Sequence, residues 1–284
     1  MEQVTFFAGK GGVGKTTCSA SVALQLAKSE KVTLLSVDPA HSVRDVFANQ
    51  KPPENLAVET IDTRAKWRQL RETLGEEIER AVSALAPAGV TIAHDAEAMR
   101  KLVDVAPPGA DELFAITRLA DLIAEKRRIV VDTAPTGHFL RLIDLPKTAG
   151  EWVHEFMRIL LRYRELVPPG VLGEELLRAS RALHAVEKTL TSERCRVVVV
   201  TRPERIVVAE TKRLLAEVAQ RGMRAGRVIA NYMTPETDCP CDRSMRGYEL
   251  EALKGLDFLA IERREEPPVT LDELAALVPL DSLR

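Results

Sequence analysis

Val4-Thr5-Phe6-Phe7-Ala8-Gly9-Lys10-Gly11-Gly12-Val13-Gly14-Lys15-Thr16-Thr17 opens the chain with an apolar run, a glycine-rich turn and a lysine followed by two hydroxyls. The run carries no charge and is rich in β-branched and aromatic residues, which suits a strand buried on both faces. Gly9, Gly14, Lys15 and Thr16 then satisfy the spacing of a phosphate-binding loop, placed between a strand and a helix expected to start near Lys15. Glycines let successive backbone N–H groups converge on phosphate oxygens, and the helix N-terminus adds a favourable dipole. The pattern predicts a cradle formed by Gly9, Lys10, Gly11, Gly12, Val13 and Gly14, with Thr17 just inside the helix. Lys15 is expected to contact the β- and γ-phosphates and Thr16 to offer its hydroxyl to Mg²⁺. ATP with Mg²⁺ is the expected ligand.

Further short apolar runs occupy residues 32–37, 56–61, 129–131, 197–200, 228–230 and 258–261, separated by helical stretches. Apolar strands alternating with helices predict a doubly wound α/β domain on a mostly parallel sheet. The alternation breaks at residues 63–125 and 145–192, long helical runs bounded by Pro107-Pro108-Gly109 and Pro168-Pro169-Gly170. The expected organisation is one P-loop domain over residues 1–284 with a helical subdomain inserted as those two segments.

Bulk properties narrow the partners. The 40 Lys and Arg nearly balance 42 Asp and Glu for a net charge of −2, which argues against sequence-independent nucleic-acid binding. No stretch reaches the roughly 18 apolar residues needed to span a bilayer. Met1-Glu2-Gln3 runs straight into a strand with no basic and apolar leader, so a cytoplasmic location is expected. Four cysteines, Cys18, Cys195, Cys239 and Cys241, are too few and too unevenly spaced for a disulfide framework.

Two acidic segments follow apolar strands, Asp38-Pro39-Ala40-His41-Ser42 and Asp132-Thr133-Ala134-Pro135-Thr136-Gly137-His138. Ligands of open α/β sheets bind at the carboxyl ends of strands, so both aspartates are expected to point to the P-loop. Asp132 is the expected Mg²⁺ carboxylate. Asp38 is expected near the same ion, to orient or deprotonate the attacking water. Gly137 could offer a backbone N–H to the γ-phosphate. Either aspartate could instead serve only as a helix N-cap.

These residues together resemble the ArsA/GET family, which comprises arsenite-stimulated ATPases and the ATPases that target tail-anchored membrane proteins. The likeness rests on Lys10 to Thr17, Asp38 to Ser42, Pro108-Gly109-Ala110-Asp111-Glu112, Asp132 to His138 and Arg141 to Pro146. It implies a homodimer in which Lys10, like the signature lysine of deviant Walker A ATPases, reaches the partner's nucleotide; a plain solvated lysine is the alternative. It also implies that Asn231 hydrogen-bonds adenine, that the Pro267-Pro268 loop covers the base, and that hydrolysis opens and closes a helical surface for a hydrophobic protein client. One P-loop per chain fits, since a second ATP site must come from a second chain.

Departures from the family pattern leave the cargo open. Where the targeting branch has Cys-x-x-Cys, this chain has Cys239-Pro240-Cys241, and two such pairs from two chains would form a tetrahedral sulfur site for zinc. Redox-active or merely exposed thiols are the alternative. Cys18 and Cys195 read as core-packing thiols. Neither helical segment holds a cysteine, so a soft metalloid lacks thiolate ligands there. Trp152, Phe156, Ile159, Leu160 and Tyr163 recur at helical spacing within residues 151–167, either as core or as a groove for an apolar helix. Three roles therefore compete: a client-carrying dimeric ATPase, the soluble subunit of an anion or arsenite pump acting with a membrane partner, and a metal-delivery ATPase.

Overall fold

The computed structural model describes residues 2–38, 42–47, 50–61, 110–162 and 170–283. Its strands are β1 (Val4–Ala8), β2 (Val32–Ser36), β3 (Leu56–Thr60), β4 (Arg128–Asp132), β5 (Cys195–Thr201), β6 (Val228–Met233) and β7 (Phe258–Glu262). They form one sheet in the order β3-β2-β4-β1-β5-β6-β7, and every neighbouring pair is parallel. The composition of each strand follows its place. The central strands β1 and β2 are buried at all five positions, whereas the edge strands Leu-Ala-Val-Glu-Thr and Phe-Leu-Ala-Ile-Glu are mostly half-buried or exposed.

The helices are α1 (Lys15–Leu26), α2 (Ser42–Val46), α3 (Ala110–Ala124), α4 (Thr136–Arg162), α5 (Gly170–Leu190), α6 (Arg205–Gln220), α7 (Pro240–Leu253) and α8 (Leu271–Ala275). Strand side chains alternate between two cores. Phe6, Leu35, Val131 and Val199 pack with Ile116 and Leu119 of α3, Phe139 and Leu142 of α4 and Val186 of α5. Phe7, Leu34, Val130 and Val198 face the other way, onto Cys18 and Val22 of α1 and Leu274 and Ala275 of α8. Helices on both faces make the sheet doubly wound, as expected. On the first face α3, α4 and α5 also pack on one another.

Register brings the functional strand ends level. Phe7 pairs with Asp132 and Ser36 pairs with the same residue, so β1, β2 and β4 stop at one height. Thr133 Oγ1 donates to the Phe7 carbonyl at 2.7 Å and the Val37 N–H donates to the Asp132 carbonyl at 3.0 Å, which locks the three ends together. This is the carboxyl edge where the chain order reverses about β1, the usual position of a ligand crevice.

Two expectations change. Asn231 lies inside β6, not after it, because pairing with β7 continues through Met233 across an irregularity. The helical run expected from residue 145 begins at Thr136, where the Pro135 carbonyl accepts from the His138 N–H at 2.9 Å and Phe139 is buried against Phe6. Pro146 therefore sits inside α4 and marks no boundary. Most of the first helical segment, residues 62–109, and the 163–169 connection lie outside the described residues, as do Pro39, Ala40 and His41.

Candidate nucleotide site

The P-loop is held from both sides by the sheet. Gly9 has φ 147° and Gly14 has φ 96°. A Cβ on Gly9 would collide with the Val200 carbonyl of β5, and one on Gly14 with the Asn231 amide of β6. Both positions thus need glycine for conformation and for close approach. Gly11 and Gly12 stay exposed at the tip, while Val13 is buried beneath them.

Lys15 begins α1 and is buried, its Nζ donating to the Lys10 carbonyl at 3.1 Å. Burial lowers its pKa, and the charges of Asp132 and then Asp38 act against that fall. The three side chains therefore share one electrostatic neighbourhood. Asp132 has no exposed surface, and burial, reinforced by Asp38, pushes its pKa up to about 6 against the pull of Thr16, Lys15 and Ser19. Among the described residues neither of its oxygens has a hydrogen-bond partner of standard geometry, although the hydroxyls of Thr16 and Ser19 lie near enough to favour its charged form. Ser19 Oγ instead donates to the Thr16 carbonyl at 2.9 Å. A buried, unpaired carboxylate beside a lysine and a threonine hydroxyl is a donor set that fits a divalent cation. Asp38 follows β2 and is half-buried.

The second acidic segment continues without a break into helix. Gly137 is exposed in the first turn of α4, and His138 Nδ1 lies 3.3 Å from Oε1 of the buried Glu112 on α3. Motif spacing picks out His138 but assigns Glu112 no role; their contact joins residues 26 apart in sequence and has no local signal. The same holds for Glu210 of α6, whose Oε1 accepts from Lys10 Nζ at 3.1 Å across 200 residues.

Asn231 is buried, and its Nδ2 donates to the Val13 carbonyl at 2.9 Å while its Oδ1 accepts from the Tyr232 N–H at 3.0 Å. Pro267 is exposed and Pro268 half-buried in the connection from β7 to α8. Cys239 caps α7 and Cys241 lies in its first turn, both exposed. The backbone N–H groups of Asp242 and then Cys241 draw the Cys239 thiol below its ordinary pKa. Among the described residues no group of three or more His, Cys, Asp or Glu could hold a metal within one chain. Cys18 and Cys195 are buried, and burial lifts both thiols to about 12, as befits inert core residues.

A family model for anion-transporting ATPases matches residues 2–254 of this chain. The chain belongs to that family. It is an ATP-hydrolysing enzyme, and the resemblance to ArsA/GET proteins is borne out. A candidate arsenical pump-driving ATPase of Aquifex aeolicus is 29% identical over 93% of this chain and 92% of its own length. ATPase GET3B of Arabidopsis thaliana is 29% identical over 82% of this chain and 64% of its own length. An ATPase ASNA1 homolog of Dictyostelium discoideum is 30% identical over 82% of this chain and 73% of its own length. Among the described residues of this member no helix is long and apolar enough to cross a membrane.

Proposed function

We propose that this anion-transporting-type ATPase works as a homodimer that couples Mg·ATP binding and hydrolysis to opening and closing of a helical client-binding surface, in the manner of tail-anchored protein targeting. The observation that carries the coupling is continuity. The buried carboxylate Asp132 ends β4, the chain runs through Thr133, Ala134 and Pro135, and α4 begins at Thr136 and packs on α3 and α5. A change of charge at the γ-phosphate is thereby one short segment away from the helical layer of α3, α4 and α5.

In this reading the N–H groups of residues 9–17 cradle the phosphates and Lys15 neutralises the β- and γ-oxygens. Thr16, Asp38 and Asp132 would hold Mg²⁺, which supplies charge neutralisation of the phosphates when bound. Asp38 orients or deprotonates the attacking water, and the Gly137 N–H faces the γ-phosphate. Lys10 serves the partner's nucleotide, while Asn231 and the Pro267-Pro268 loop enclose adenine. Light scattering with and without a non-hydrolysable ATP analogue tests the dimer. A monomeric mass both with and without the analogue, or Lys10→Ala with unchanged turnover and unchanged closure, would defeat this mechanism.

A second reading, the soluble ATPase of an anion or arsenite pump, is favoured by the near-complete overlap with the Aquifex relative. Arsenite or antimonite should then stimulate hydrolysis; an unresponsive enzyme speaks against it. The exposed Cys239/Cys241 pair favours a zinc site completed by a second chain, or metal delivery. Metal content of the purified dimer, compared with a double Cys→Ser variant, separates these from the first reading.

A further inference from the structure

We infer that Asn231 is a positioning residue for the phosphate loop itself, so that whatever it does for a base, it also sets the height of Val13 and Gly14 above the sheet. The inference rests on the P-loop being the ATP site and adds a role that base recognition alone does not contain.

Three observations converge on it. Asn231 Nδ2 donates to the carbonyl of Val13, a residue inside the loop and 218 positions away in sequence. Gly14, the next residue, passes so close to that amide that no Cβ could stand between them. Gly14 is also at φ 96°, so its left-handed turn begins where the Asn231 contact ends. The loop's entry is fixed independently by Gly9 against the Val200 carbonyl of β5. Strands β5 and β6 thus hold the loop at its two ends.

The aim of Asn231 is itself built in. Pairing of β6 with β7 slips between Asn231 and Met233, and Tyr232 takes the strained value φ 64° at the slip. A non-glycine residue at positive φ costs about 1–3 kcal/mol and persists where its surroundings enforce it. Here the Tyr232 N–H donates to Asn231 Oδ1 at 3.0 Å and the Arg202 guanidinium stacks 4.3 Å from the Tyr232 ring centroid. The irregularity turns the amide so that its nitrogen faces Val13. A primary amide has two N–H donors and two acceptor lone pairs, so one of each remains for another partner. One side chain can therefore serve a base and the phosphate loop together.

A base-free ligand separates the two roles. Affinity of the purified full chain for Mg·tripolyphosphate and for Mg·ATP is measured by calorimetry, in wild type and in Asn231→Ala. Loss of one buried hydrogen bond that leaves the Val13 carbonyl unpaired is expected to weaken tripolyphosphate binding about five- to tenfold. Tripolyphosphate affinity within twofold of wild type, with or without a loss for ATP, overturns the inference. If Asn231→Ala melts below the assay temperature, Asn231→Leu carries the same test, since it keeps most of the volume and adds no charge near the phosphates but presents no donor to Val13. Wild type that binds neither ligand would overturn the assignment of the phosphate site, a failure distinct from that of Asn231.

Discussion

Lys10 Nζ is 3.1 Å from Glu210 Oε1 of the same chain, with both side chains between a third and a half exposed. The lysine expected to act on a partner's nucleotide is therefore held by a carboxylate on its own α6. A partly exposed pair of this kind contributes only about 0–1 kcal/mol, so it can be released without a large barrier. Glu210→Gln should lower the protein concentration at which the ATP-bound dimer forms by up to about fivefold, the range set by that energy. Lys10→Ala should leave ATP affinity nearly intact and reduce turnover at least about a hundredfold, by analogy with other cationic groups supplied in trans. Analytical ultracentrifugation and steady-state hydrolysis check both. A Glu210→Gln dimer no tighter than wild type removes the restraining role.

Glu112 and His138 join α3 to the start of α4 at 3.3 Å, and Glu112 is buried. Removing the carboxylate leaves the His138 imidazole, in the first turn of α4, without that partner. Glu112→Ala is expected to slow hydrolysis about three- to tenfold with little change in ATP affinity, because the contact lies at the start of α4 and not at the phosphate cradle. Glu112→Gln, which still accepts a hydrogen bond, should recover most of that loss. Separate kcat and KM values decide it: a change confined to KM would place Glu112 with the nucleotide.

Phe139 is fully buried, its ring centroid 5.8 Å from that of Phe6 at 55°, so β1 and the first turn of α4 share one aromatic contact. Phe139→Ala should destabilise the fold by about 3–5 kcal/mol, through lost burial and the cavity left behind. Phe139→Leu should cost roughly 1–2 kcal/mol, since leucine refills part of that volume. Urea titration with the slope compared between variants gives both numbers.

Much of this architecture was legible because period and punctuation agree. Each of the seven strands carries an apolar run, and Gly9 with Gly14 to Thr16 placed the phosphate loop at the end of the first. Strand ends were less readable: β6 reaches Met233 through an irregularity that no run of residue types announces. The start of the helical run was also misplaced: it was expected at residue 145, yet α4 begins at Thr136 and runs through Pro146, since a proline can sit within a long helix held by packing. At the site, Asp132 was readable as an acid ending an apolar strand. The contacts of Glu210, Glu112 and Asn231 were not, because each is made across the fold to a residue far away in sequence, and no local pattern names that partner. Of the aromatic stripe expected within residues 151–167, the side chains of Trp152, Phe156, Ile159 and Leu160, and all of Tyr163, lie outside the described residues.

Asp132 makes the apo protein less stable as pH rises. Its pKa rises on folding to about 6 from the ordinary 3.8, chiefly by burial, so the folded state binds the proton more tightly than the unfolded one. Stability is then lost as pH rises through the interval between those values, and the full cost applies above about pH 6. The shift corresponds to about 3 kcal/mol. In EDTA at pH 8, Asp132→Asn should be more stable than wild type by up to about 3 kcal/mol, falling to about 1 kcal/mol near pH 4.5 where the wild-type carboxyl is protonated in the fold. Mg·ATP should reverse the order, because only the charged side chain gains from a bound cation and ligand binding adds stability in proportion to its affinity. Thermal melts at the two pH values, with and without Mg·ATP, contain the whole test. A variant that is less stable than wild type at pH 8 without ligand would show that Asp132 is satisfied in the apo fold, and its unpaired oxygens could then no longer be read as a site kept for a cation.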